Sequence, residues 1–153
     1  MNNELTATQK YTYVVGAFFV LAGILGFFPG VTVVPHVHDP DLIIETSYGR
    51  LLGLFPVNVL HNLVHLALGV WALFVARDLS MSRIYCKSTA IIYGALAVMG
   101  FIPGLNTMFG LLPIHSHDIW LHAGTAALSA YFGWAKAPMR MGPMKNRDTR
   151  AWT

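Results

Sequence analysis

The stretch GLFPVNVLHNLVH, residues 53–65, decides what kind of fold this chain has. It sets Pro56, Asn58, His61, Asn62 and His65 inside a run that otherwise stays apolar as far as Ala76. Hydrocarbon solvates imidazole and carboxamide groups poorly, so in a bilayer-crossing helix these side chains must face protein. The rest of the chain says whether a bilayer is the right solvent to consider.

Of the 153 residues, 55% are hydrophobic and only 11% are charged. Soluble domains carry about 25% charged residues, and the deficit points to an integral membrane protein. The formal net charge of +3 does not indicate a nucleic-acid partner. The Lys and Arg residues sit at the ends of apolar runs and in the tail, without interleaved aromatics, and there they report topology. The single cysteine, Cys86, rules out an internal disulfide and a Cys-based metal cage. The segment MNNELTATQKYTY is a weak signal n-region with no small-residue cleavage pattern after it, so the first apolar run reads as a retained anchor.

Four runs are long enough to cross about 30 Å of hydrocarbon as helices. They cover residues 11–29, 56–76, 84–102 and 118–137, within one membrane domain over 1–137. A basic cytoplasmic tail follows at 138–153. Arg77, Arg83 and Lys87 lie between the second and third runs, Lys10 precedes the first, and Lys136, Arg140, Lys145, Arg147 and Arg150 follow the fourth. The positive-inside rule then predicts an inner (plasma) membrane protein with both termini cytoplasmic and the His-bearing loops outside. Arg50 is the exception in an outer loop, with Asp41 or Glu45 near enough to neutralise it. Tyr11, Tyr13 and Trp134 at the inner ends, and Tyr48 and Trp120 at the outer ends, fit interfacial anchoring.

The chain also repeats itself. GFFPG at 26–30 returns as GFIPG at 100–104, and GLFP at 53–56 returns as GLLP at 110–113. The second offset places Asn58 on His115, His61 on Asp118 and His65 on His122. The pattern predicts a tandem repeat of two-helix hairpins about a pseudo-twofold axis along the membrane normal, with extra residues in the first outer loop. Asn58, His61, His65, Gly69 and Ala72 share one helical face, as do Asp118, His122, Ser129 and Gly133. Small residues along such a face let helices approach closely in lipid. His65 lies 12 residues from Arg77, about 18 Å of helix, which puts the polar group in the outer half of the membrane. Pro56 and Pro113 suit first helical turns.

Several chemistries suit the cluster. His61 and His65 at i, i+4, repeated as Asp118 and His122, offer three imidazoles and a carboxylate for Zn or Cu. His36, His38, Asp39, His115 and His117 in the outer loops form a weaker second set. A polar knot, with pairs such as Asp118–His65 or Asn58–His122, would need no ion. A b-type haem or pigment between His65 and His122 is a further option, and proton or solute passage is another. No nucleophile–base arrangement or phosphate loop stands out. The expected role is therefore a non-enzymatic accessory or structural membrane module, with the lipid bilayer and a larger membrane complex or a homo-oligomer as partners.

YGRLLGLFPVNVLHNLVHLALGVWAL, followed by GFIPGLNTMFGLLPIHSHDIWLHAG, resembles a bacterial family of small four-helix integral membrane proteins classified as a domain of unknown function. The likeness runs from about Val14 to Trp134. It implies an all-α four-helix bundle and marks His61, Asn62, His65, Asp118 and His122 as pattern positions, while implying no activity. The HVHD segment and the pair His115 and His117 depart from that pattern and suggest added external metal binding.

Overall fold

A computed structural model describes residues 4–134, so the tail at 138–153 and the basic residues from Lys136 onward lie outside the described residues. The helices are α1 (Ala7–Leu25), α2 (Val59–Val75), α3 (Leu79–Gly100) and α4 (His117–Trp134). α1 starts before Tyr11 because Thr6 and Gln9 form a capping box, in which each side chain accepts from the other's backbone N–H. The same Gln9 carboxamide donates to Ala76 O and Arg77 O, stitching the start of α1 to the end of α2. α3 likewise starts earlier than Ile84, because Asp78 caps it by accepting from the Met81 N–H at 2.7 Å.

The protein is not purely helical. Three short strands, β1 (Thr32–Val33), β2 (Gly49–Leu51) and β3 (Phe55–Val57), form an antiparallel meander in the first long loop. Pro56 therefore sits in β3, not in the first turn of α2, and Pro113 lies in the loop ahead of α4. The β2–β3 connection turns on Leu52 and Gly53, both at positive φ (54° and 72°). That backbone region suits Gly, whereas Leu adopts it only where the fold requires it.

α1 packs along α2, and α3 along α4, with lighter contacts between the two pairs. The closest approach is at the α1–α2 seam. A Cβ on Gly69 would lie 2.7 Å from both Gly16 O and Val20 N, so only hydrogen fits there. Between the pairs sits a core of Val15, Phe19, Ala72, Tyr85, Cys86 and Tyr93.

Polarity is inverted relative to a water-soluble bundle. Thr12, Asn58, Asn62, Ser82 and Ser129 are fully buried, while Val14 and Leu21 on α1, Phe74 on α2, Ile91 and Val98 on α3 and Tyr131 on α4 are exposed. By length and composition, one described helix, α1, is long and apolar enough to cross a membrane; α2 is apolar but spans 17 residues.

Candidate metal centre

Asn58 opens α2. Its side-chain oxygen accepts from the His61 N–H at 2.9 Å, and its amide donates to Ile44 O and Leu111 O. One residue thus caps the helix and ties the α1–α2 and α3–α4 loops to it, a role incompatible with an Asn58–His122 pair. His61 follows in the first turn, with Nδ1 3.1 Å from Pro113 O. A carbonyl only accepts, so Nδ1 carries the proton and Nε2 keeps the lone pair.

His65 lies one turn further along α2, and His122 enters from α4. Ligand-type nitrogens of His61, His65 and His122 all lie within 4.8 Å of one another. All three rings are buried, at 3%, 7% and 2% exposure. Aromatic rings hold them in place. Phe19 stacks on His65 at 5.3 Å and 7°, and again on Tyr93, whose ring meets His122 edge-on at 4.9 Å.

Asp118 sits one turn before His122, with Oδ2 3.5 Å from His122 Nε2. That is the limit of a hydrogen bond, and Oδ2 has no hydrogen-bond partner; neither does His122 Nδ1, nor either end of the Asn62 carboxamide. Asn62 lies flat against Gly26, where a Cβ would fall 2.0 Å from Asn62 Oδ1. Phe19, Tyr93 and the Gly26–Asn62 contact were not singled out from sequence. An aromatic on an apolar helix face carries no signal that a histidine lies opposite.

Two cavities adjoin the cluster. One of about 190 Å³, under the β2–β3 hairpin between α1 and α4, has His65 and Asp118 at its polar end. The other, about 50 Å³, is bounded by α2, α3 and α4 and lined by His61, His65, Tyr93 and His122.

His36, His38, Asp39, His115 and His117, the weaker second set, do not assemble a second centre. His36, His38 and His117 are exposed. Asp39 is committed to Arg50, which donates through Nε at 2.8 Å and through a second guanidinium N–H. Arg50 is thus neutralised by Asp39, not by Asp41 or Glu45, and it also reaches Leu54 O and Ser116 Oγ. His36 supplies only its backbone N–H to Asp39. His115 is buried, with Nε2 unpartnered. Together these contacts clamp the sheet onto the start of α4.

The clamp has a pH signature. The Arg50 hydrogen bond holds the Asp39 carboxyl below its ordinary value. A depressed carboxylate contributes stability at higher pH and loses it as pH falls through the folded-state value, below about pH 4. Asp39→Asn is expected to destabilise the fold by about 1.5–3 kcal/mol at neutral pH, as loss of a charge-assisted hydrogen bond does. Its acid limb should also be shallower than wild type in thermal unfolding measured against pH. Identical acid limbs would show that the clamp does not bear on stability.

The described residues define a mostly helical fold, four helices with a small antiparallel sheet, around a buried three-histidine group. Residues 9–135 match the family described as the domain of unknown function DUF4383, and the chain belongs to that family. No curated protein and no solved structure matches it.

Proposed function

We propose that this chain is an integral membrane protein whose four helices hold one transition-metal ion, zinc or copper, on His61, His65 and His122. The observation that carries the reading is the convergence of three buried ring nitrogens within 4.8 Å. Tetrahedral Zn–N bonds of about 2.0–2.1 Å put ligand nitrogens about 3.3 Å apart, so side-chain adjustments of about 1.5 Å or less close the site. A metal-bound His normally donates its other N–H to a carbonyl or carboxylate. Pro113 O serves His61 in this way, and Asp118 stands where it would serve His122. The reading therefore makes Asp118 an outer partner, not a fourth ligand.

A hydrogen-bonded knot accounts for the cluster less well. Its purpose would be to satisfy buried polar atoms, yet His122 Nδ1 and Asp118 Oδ2 lack partners. A haem between His65 and His122 is also disfavoured, because His61 stands within 4.8 Å of both and the adjoining cavities are small.

The apolar-out, polar-in surface supports membrane insertion. The Lys and Arg bias supports cytoplasmic termini, with the metal centre near the outer face. The matching GFFPG and GFIPG motifs, together with the α1–α2 and α3–α4 pairing, support a duplicated hairpin. Metal analysis of detergent-purified protein tests the site: about one equivalent in wild type and none in a His65→Ala, His122→Ala variant. Wild type from metal-replete cells without stoichiometric metal would end this reading.

A further inference from the structure

Of the two cavities beside the cluster, the one of about 50 Å³ is lined by His61, His65 and His122 together, whereas the larger touches His65 alone of the three. Asp118 borders the larger cavity and not this one. The other walls of the small cavity are hydrocarbon, from Val64 and Leu68 on α2, Leu96 on α3, and Leu112 and Ile114 in the loop before α4. Among the described residues that line it, the polar side chains are the three imidazoles and the Tyr93 phenol. Val64 and Ile92 at its margin are exposed, so on the membrane reading the cavity is reached from lipid.

From these features we infer that the proposed centre holds copper(I) with its fourth coordination position open to this cavity, where it takes an uncharged diatomic ligand of the dioxygen and carbon monoxide class. The inference rests on the metal reading above and names what its open position binds. Three protein ligands and a vacant fourth place are the pattern of a reactive metal site, not of a closed structural one. Size limits the ligand. A volume of about 50 Å³ exceeds the about 10–15 Å³ that one water needs, and falls well below the about 150 Å³ that accepts benzene. Polarity excludes ions, because an anion between these walls would lose its hydration for at most one phenolic O–H in return. A small uncharged molecule dissolves in lipid and incurs no such cost. Charge selects the metal. Three neutral imidazoles leave copper(I) with a single positive charge, which the Asp118 carboxylate offsets from its place 3.5 Å from His122 Nε2. Zinc(II) would leave a net charge buried, and it has no redox chemistry to offer dioxygen. Coordination of the ligand forms one bond to the metal and breaks none.

The test uses full-length protein in nanodiscs, loaded anaerobically with copper(I), with carbon monoxide as the probe. One saturable C–O infrared band is expected, at about one CO per bound copper, and it should move to lower frequency with isotopically heavier CO. Leu96→Phe brings a ring into the cavity from a half-buried place on α3. It should keep its copper and weaken CO binding by about tenfold or more. The His65→Ala, His122→Ala variant should show no band. A band that persists there would place the copper on exposed loop histidines and overturn the inference. So would bound copper without a CO band, as when the Tyr93 oxygen already fills the fourth position, or wild-type CO affinity in a folded Leu96→Phe variant. Zinc as the sole metal in protein from cells replete with both metals would overturn it too. Metal bound without CO leaves the three-histidine reading standing, whereas a wild type that binds no stoichiometric metal removes both.

Discussion

Replacing His122 with alanine is expected to abolish stoichiometric metal binding, whereas Asp118→Asn should keep about one equivalent with affinity lowered by about 10–100-fold. The contrast follows from which atoms face the shared space. His122 contributes a ring nitrogen to the three-histidine group, and two imidazoles on one helix cannot close a tetrahedral shell alone. Asp118 Oδ2 lies 3.5 Å from His122 Nε2, and in the proposed centre a carboxylate at that nitrogen orients the ring and raises its basicity while Nδ1 takes the metal. Asparagine keeps an acceptor at that place but removes the charge. Competition against a chromophoric chelator, on detergent-solubilised protein, reads both affinities. If Asp118→Asn loses metal as completely as His122→Ala, the carboxylate is a ligand and the outer assignment is wrong. His61→Ala should resemble His122→Ala, because its tautomer is already set for coordination by Pro113 O.

The histidine trio was legible because its geometry is local twice over. His61 and His65 share a face through the helical repeat, and the GLFP–GLLP offset puts His122 at the matching depth of another helix. Four apolar runs likewise announced four helices, since hydropathy is a sum over many residues. What hydropathy cannot resolve is where a helix begins. Thr6 and Asp78 set the true starts of α1 and α3 through single side-chain caps. The strands were invisible for a related reason: two or three residues are too short for any periodicity. Their existence depends on Thr32 and Val33 finding Leu51 and Arg50 across a long loop. That same loop path chose Asp39 over Asp41 or Glu45 as the partner of Arg50, and so dissolved the second metal set. Asn58 shares the helical face of the polar cluster in sequence, but as a cap two residues after a proline it belongs to backbone chemistry.

Gly69→Val is expected to destabilise the protein by about 1–3 kcal/mol, the usual cost of forcing volume into a packed seam. The obstruction is backbone, not a movable side chain. The first added carbon would lie 2.7 Å from Gly16 O and from Val20 N, so α1 and α2 must separate to admit it. Gly16 meets the same limit from the other side, with its would-be Cβ 2.7 Å from Ala72 Cβ. On the proposed membrane placement there is no hydrophobic force between helices to offset that separation, because acyl chains are as apolar as the side chains they replace. The damage should also reach the site. Gly69 is one turn beyond His65, whose ring is held by Phe19 of α1, so moving the helices apart unstacks that pair. Gly124 on α4 is the matched control, since a Cβ there meets nothing within 4 Å. Gly124→Ala should leave stability unchanged or raise it by up to about 1 kcal/mol through helix propensity. Unfolding in mixed detergent micelles reads both variants, and metal titration reads the coupling. Equal stability of the two variants would mean that the α1–α2 seam is not closed as tightly as these distances require. A destabilised Gly69→Val with unaltered metal affinity would separate the seam from the histidine site.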